Sequence, residues 1–387
     1  MTTPPRRPEL HLLTPGDHFS PRTGSAIPTV VDGLCAALGP LPSDERPRVA
    51  VARGTYPDRY PSAVPVEYDL PESARADRYL DAAAGRLGLP RPGVRRGLRA
   101  ALRTQNRLDD GVVLLHNAPQ AVPLVEGRHT PVLYAHNSLL RSYTHTEAGR
   151  TLERAAAIVC VSAALAQQTA DHLPPSLHDR LRVVPNGVDT VRFRPRADPR
   201  RGERLRVLFV GRMIPDKGAD VLLDAVLRLA RPDLDLTLVG SQNFDAGAGP
   251  SAYQRDLTRR ATALGDRVHL HPFTPRSRIA ALFRAADVLV VPSRWAEPFA
   301  LTVLEGMASG VPVVASAIGG IPEAMGGAGI PVPPDDPAAL ATVLDALATD
   351  EGYRQRVGRE GRARAEAGDW GWARQRLDRV VSPAPVG

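Results

Sequence analysis

Short runs of apolar and β-branched residues recur along this chain, and most are followed by a longer stretch with the spacing of an amphipathic helix. That alternation predicts βαβ units and mostly parallel sheets. In the first half the strand-like runs are ELHLL (9–13), PRVAVA (47–52), GVVLLH (111–116), PVLYAH (131–136), AIVCVS (157–162) and RVVPNG (182–187). RFRPRADPRRGER (192–204) offers few residues able to join a core and reads as an interdomain linker. The second half restarts with LRVLFVG (205–211), LDLTLVG (234–240), RVHLHP (267–272), DVLVVPS (287–293) and VPVVAS (311–316). The tail GDWGWARQRLDRVV (368–381) reads as a closing helix, with Trp370 and Trp372 anchoring it on one lobe or across both. The expected architecture is α/β with two doubly wound lobes, 1–195 and 196–370, and a C-terminal closing helix over 371–387. Ligands of such open sheets bind at the carboxyl ends of the strands, so function is sought in a cleft between the lobes.

Composition narrows this picture. A chain of 387 residues with 43% hydrophobic and 24% charged residues builds two medium cores, which excludes a disordered or fibrous protein. No apolar run approaches the roughly 20 residues of a membrane span, and MTTPPRRPELHLL lacks an apolar stretch before a cleavage site. The expectation is a cytoplasmic protein without stable membrane insertion. Cys35 and Cys160 lie in apolar segments with no CxxC or CxxH spacing, so both read as buried structural thiols and no metal is expected. The net charge of +7 is spread thinly and lacks interleaved aromatics, which argues against a nucleic-acid partner. The densest basic stretch, RLGLPRPGVRRGLRAALR (86–103), reads as a solvated helix face or as an acidic-lipid contact, and its few apolar positions favour the solvated face.

One feature of the composition is sharper. Of 49 lysines and arginines only one, Lys217, is a lysine. In a background that replaces lysine with arginine wherever arginine serves, a surviving ammonium marks a place where a planar fork will not do. Lys217 lies in GRMIPDKG (211–218), directly after the first strand of the second lobe. Arg212 and Lys217 on that loop read as a two-cation clamp for a diphosphate, offsetting a leaving group's charge without a divalent ion. The plainer alternative is a surface loop with Lys217 pairing locally.

The second element is SRWAEPFALTVLEGMASGVPVVAS (293–316). Phe299 to Ser309 reads as a helix whose first amides, on Phe299, Ala300 and Leu301, point at an incoming anion. Glu297 precedes it, where a carboxylate accepts hydrogen bonds from sugar hydroxyls. Glu305, about two turns along, reaches a vicinal diol such as a ribose.

GRMIPDKG followed by EPFALTVLE, GVPVVAS and GGIPE resembles the retaining GT-B glycosyltransferases of family four over nearly the whole second half, and RVVPNGVD (182–189) resembles that family's segment before the linker. The resemblance implies two Rossmann-like lobes, a nucleotide-sugar donor such as UDP-glucose or UDP-N-acetylglucosamine, and no further cofactor. It implies that Arg212 and Lys217 bind the donor diphosphate, Glu297 contacts the donor sugar and Glu305 binds the ribose. The chain departs from the pattern at Ala300, where the family has Gly, and at Gly306, where it has Ala. Gly24 and Ser25 resemble the family's two-glycine turn near the donor phosphate, and His136 occupies the place of an active-site histidine near the transferred sugar. A structural histidine is the alternative at 136.

The acceptor is less legible. A small polyol suits the compact first lobe, and the arginine-only background resembles enzymes that glycosylate the 2-deoxystreptamine aminocyclitol of aminoglycoside antibiotics. Asp17, Asp32 or Glu147 are candidates to face a polycationic acceptor. An inositol phosphate or sugar phosphate acceptor, or a non-catalytic nucleotide-sugar-binding protein, stand as alternatives. A dehydrogenase is disfavoured because GxGxxG follows neither opening strand. Asp233 and Asp235 have the spacing of a metal-binding DxD but lie at a strand start, and read as structural.

Overall fold

The computed structural model describes residues 6–72, 74–197, 204–242 and 249–381. The chain forms two compact units, one of residues 1–21, 25–185 and 370–387, the other of 22–24 and 186–369. Among the described residues the first holds seven strands: β1 (Glu9–Leu12), β2 (Arg48–Ala52), β3 (Val64–Tyr68), β4 (Val112–His116), β5 (Thr130–Ala135), β6 (Ala157–Cys160) and β7 (Leu181–Val183). They pair in parallel in the order β3-β2-β1-β4-β5-β6-β7. The second holds β8 (Leu205–Val210), β9 (Leu234–Val239), β10 (Val268–His271), β11 (Val288–Val291), β12 (Val313–Ser316) and β13 (Ile330–Val332), parallel in the order β10-β9-β8-β11-β12-β13.

In both sheets the chain winds outward from its first strand in one direction and then, from the fourth, in the other. The change of direction lies between β1 and β4 and between β8 and β11, where open sheets bind ligands. The central strands are buried along their length, which is why VVLLH and VLVV are continuous apolar runs rather than alternating ones. Two strands that the apolar pattern does not predict, β3 and β13, are edge strands carrying Pro65 and Pro331. A proline is tolerated there because the missing N–H is not needed by a neighbour.

Two expectations about organisation change. The units meet in sequence at Pro185 and Asn186, not at 195, because the segment read as a linker packs on the second unit. Phe193 is buried edge-on against Phe283, and the Arg196 guanidinium bonds to Asp287 at 3.1 Å. Residues 198–203 of that segment lie outside the described residues. The closing helix, Trp370–Val381, belongs to the first unit, where the Trp370 indole occupies the space left by the missing side chain of Gly33. Among the described residues no helix is long and apolar enough to cross a membrane.

Candidate functional site

In the second unit the loops after β8 and β11 are neighbours because their strands are. The loop after β8 turns through a short 3-10 helix, Pro215–Lys217, into the helix Ala219–Leu229. The turn requires glycine at 218: its φ is +68°, and a Cβ there would strike the carbonyl oxygen of Pro292 at the end of β11. That close approach carries Lys217 across to the other loop, where its ammonium donates to Glu297 Oε1 at 2.5 Å. Ser293 Oγ donates to the same oxygen at 2.7 Å, and the ammonium lies 5.5 Å from the Trp295 ring centre. Glu297 is buried, so the ammonium partly offsets the cost of burying its charge.

Arg294 fastens the two loops together. Its guanidinium donates to both carboxylate oxygens of Asp220 at 2.7 and 2.8 Å and to the Pro215 carbonyl at 3.1 Å, while its backbone N–H donates to the Asp216 carbonyl. Burial alone would raise the Asp220 pKa, but hydrogen bonds from Arg294 and Tyr253 hold it below the ordinary carboxylate value. From the other side Gly319, at φ +60°, lies against the backbone of Ala296 and Glu297, and the Gly320 N–H donates to the Glu297 carbonyl at 2.7 Å. The GGIPE run is therefore what seats the glutamate loop.

The helix after this loop runs Leu301–Ala308, two residues later than the sequence suggests. Phe299 and Ala300 precede it, and Ala300 adopts the left-handed conformation at φ +61°, the position where the resembling family carries glycine. Gly306 is the opposite departure: a Cβ there would strike Leu289 of β11, so the helix lies closer to the sheet than an alanine would allow. Glu305 is buried on this helix and ion-paired with Arg276, the first residue of the helix Arg276–Ala285. Arg212 is exposed on the loop after β8, and its side chain makes no ion pair or hydrogen bond among the described residues.

The structure thus brings Lys217 and Glu297 together, holds Glu305 on the following helix and leaves the Arg212 guanidinium open. It adds Ser293, Arg294, Asp220 and Arg276. Of these, only Ser293 carried a visible cue, as the polar residue ending an apolar strand. Asp233 and Asp235 pair with Arg231 and Arg204, in keeping with a structural role.

In the first unit Ser25, which follows Gly24 in sequence, leads into the helix Ala26–Ala36, and its Oγ lies 3.4 Å from Asp17 Oδ2. Past the ends of β1, β3 and β4 lies a cavity of about 860 Å³, lined by Thr14, Leu70, Asn117 and Tyr143 among others. Arg91 and Arg96 also line it; the basic stretch does present a solvated face, with Arg86, Arg96, Arg99 and Arg103 exposed, and it also forms one wall of the cavity, with Leu98, Ala101 and Leu102 buried. Each guanidinium is already engaged: Arg91 with both oxygens of Glu147 at 2.7 and 3.0 Å, Arg96 with both of Asp77 at 3.0 and 3.1 Å. Glu147 is therefore a buried partner of Arg91, and Asp32 accepts a hydrogen bond from Ser62. His136 follows β5, buried, with its backbone N–H donating to Asn117 Oδ1 at 2.7 Å.

Residues 43–192 match the family model Glycosyltransferase Family 4, and residues 192–364 match Glycosyl transferases group 1. The D-inositol 3-phosphate glycosyltransferase of Streptomyces avermitilis is 35% identical over 270 residues, 64% of this chain and 57% of that protein. Its namesake from Catenulispora acidiphila is 33% identical over 286 residues, 68% of this chain and 66% of that protein. The chain spans about three fifths of the length of the curated relatives it matches. Among solved structures, Anabaena HepE in complex with UDP and glucose superposes with a TM-score of 0.72 at 17% identity, over 98% of this chain and 100% of that one. Sucrose-phosphate synthase of Thermosynechococcus elongatus gives 0.73 at 22% identity, over 97% and 98%. The chain has the α/β GT-B fold, with two Rossmann-like parallel sheets, of the group 1 and family 4 glycosyltransferases.

Proposed function

We propose that the chain is a retaining glycosyltransferase that moves a hexose or N-acetylhexosamine from a nucleotide sugar, a UDP-sugar in the first instance, to a small hydroxylated acceptor. The observation that carries this reading is the lone lysine of the chain bonded to a buried carboxylate at the carboxyl ends of adjacent strands, with Arg212 on the same loop exposed and unpaired among the described residues. Lys217 keeps further N–H donors for a diphosphate, and Arg212 adds a second cation. The resemblance supports Glu297 as the contact to the donor sugar and Glu305 as the contact to the ribose.

In this reading the bond from the anomeric carbon to the diphosphate oxygen breaks as charge builds on the leaving group, where Lys217, Arg212 and the amides of Phe299, Ala300 and Leu301 stabilise it. The acceptor oxygen bonds to the anomeric carbon on the face the leaving group vacates, and its proton passes to the departing phosphate oxygen. No enzymic nucleophile or added metal is needed. His136 touches the transferred sugar, and Gly24 with Ser25 approaches the donor phosphate.

An inositol phosphate acceptor is the reading that the relatives favour. An unphosphorylated cyclitol or aminocyclitol is a second, favoured by one observation: both guanidiniums of the first-unit cavity already pair with a carboxylate, which offsets the charge that would attract a phosphate there. The test is turnover of UDP-glucose and UDP-N-acetylglucosamine with inositol 3-phosphate, inositol and 2-deoxystreptamine in the presence of a chelator. Product with an unchanged anomeric configuration supports the reading. Tight UDP-sugar binding with no transfer to any acceptor, and no hydrolysis, points to a non-catalytic binding protein.

A further inference from the structure

Behind His136 lies a line of buried polar side chains. On β1, Glu9 and His11 are two residues apart and share a face of the sheet. His11 pairs in register with Leu114 of β4, and His116 lies two residues beyond it; His116 pairs with Tyr134 of β5, and His136 lies two residues beyond that. Each step crosses one strand and advances two residues, so all four side chains lie on one face and climb toward the carboxyl ends. The rings connect head to tail. His11 Nδ1 lies 2.9 Å from His116 Nε2, and His116 Nδ1 lies 2.7 Å from His136 Nε2.

All three imidazoles are fully or almost fully buried, and burial holds each pKa below the ordinary histidine value, in His136 down to about 3. A neutral imidazole has one donor nitrogen and one acceptor. With that head-to-tail wiring only two proton arrangements satisfy every link: all three rings protonated on Nε2, or all three on Nδ1. The choice is made at the far end. His11 Nε2 faces Glu9 Oε2 at 3.6 Å and the Cys35 thiol at 3.6 Å. The Cys35 thiol is a weak donor or acceptor, whereas Glu9 is a carboxylate that only accepts. Glu9 is kept ionised against its burial by Arg374 of the closing helix, which bonds to both of its oxygens, and by Arg6. A lone pair on His11 Nε2 would face that negative charge, so Nε2 carries the proton.

We infer that Glu9, through His11 and His116, fixes His136 as the Nε2–H tautomer and so presents its Nδ1 as a hydrogen-bond acceptor. Resting on the transferase reading, this makes Nδ1 a contact for a hydroxyl hydrogen of the substrate and not for a phosphate oxygen, which has no hydrogen to give. Glu9, His11 and His116 are then positioning residues.

The experiment is a nitrogen-15 to proton multiple-bond correlation spectrum of the full chain labelled in histidine, at neutral pH, with His136 assigned by loss of its signals in His136→Gln. The expected result is a pyridine-type Nδ1 and a pyrrole-type Nε2 at His136. An Nδ1–H tautomer, an imidazolium or an averaged pair of signals overturns the inference. In Glu9→Gln combined with Arg374→Met, which avoids a lone buried charge, the single tautomer gives way to a mixture and kcat falls about 10- to 100-fold at unchanged donor KM, as when an outer partner of a ligating histidine is removed. An unchanged His136 spectrum in that variant overturns the part assigned to Glu9. The spectra need no turnover. A wrong tautomer therefore leaves the transferase reading standing, and absence of transfer leaves the tautomer standing.

Discussion

Lys217 donates to Glu297 across 2.5 Å, and this contact joins the loops that follow two adjacent strands of the second sheet. The two residues, 80 positions apart in sequence, are brought together by strand order, because β8 and β11 are neighbours. The pair keeps an ammonium at a fixed place beside a buried carboxylate. In the proposed reading, that cation is already oriented for the donor diphosphate.

Replacement of Lys217 by alanine is expected to lower kcat about 10²- to 10³-fold, the usual effect of removing one donor that stabilises transition-state charge. Lys217→Arg is expected to lose activity as well, because a wide planar fork cannot occupy the space between Glu297 and the Trp295 ring as a compact ammonium does. Initial rates at saturating substrate check both. A fully active arginine variant would remove the argument from the lone lysine.

Ala300→Gly is expected to stabilise the protein by about 0.5–1 kcal/mol. The left-handed conformation costs alanine about 1–2 kcal/mol, and part of the gain is returned as the greater freedom of glycine in the unfolded chain. A urea midpoint that rises at constant slope agrees with this, and a falling midpoint contradicts it.

Two glycines with the same backbone sign separate conformation from contact. Gly327, at φ +81°, has open space where a Cβ would go, while Gly218, at φ +68°, has the Pro292 carbonyl. Gly327→Ala is expected to cost about 0.5–1 kcal/mol, the left-handed penalty less what the smaller freedom of alanine in the unfolded chain returns. Gly218→Ala is expected to cost more and also to weaken donor binding, since it pushes the lysine loop off β11. Paired unfolding curves and donor titrations check the contrast.

Acid should destabilise the first unit well before carboxylates titrate. His11, His116 and His136 have pKa values lowered in the folded chain, so between about pH 6.5 and the folded values the unfolded state binds more protons. Stability therefore falls as pH drops below about 6.5, by up to about 1.4 kcal/mol per pH unit for each histidine, and for His136 this continues to about pH 3. Unfolding free energies from pH 7 to 4 measure the slope. His116→Phe, which keeps the stacked ring and removes the titrating group, should reduce it.

Much of this was legible beforehand. Eleven of the strands follow from apolar or β-branched runs: nine are interior strands, where burial on both faces of a parallel sheet demands apolar residues, and β7 and β10 are exposed edge strands that still carry short β-branched runs, whereas the edge strands β3 and β13 escape because a proline interrupts theirs. GRMIPDKG and EPFALTVLE put Lys217 and Glu297 on the loops after two strands and Glu305 on the helix that follows, and the structure has them on those elements. The partners Arg276 and Arg294 were not legible: among 49 basic residues nothing local distinguishes an arginine that pairs across the fold from one on the surface. The linker reading failed on one residue, Phe193, whose burial is decided by Phe283, ninety positions away. The histidine line is invisible for the same reason, as strand order and not spacing brings residues 11, 116 and 136 together.

The most direct test of the account is calorimetric titration of the full chain with UDP-glucose and UDP-N-acetylglucosamine in a chelating buffer, comparing the native chain with Lys217→Ala and Glu305→Gln. The account predicts one site for at least one of these donors without added metal, weakened at least tenfold by either substitution. Binding that is equally tight in all three proteins, or no binding of either donor to the native chain, would contradict it.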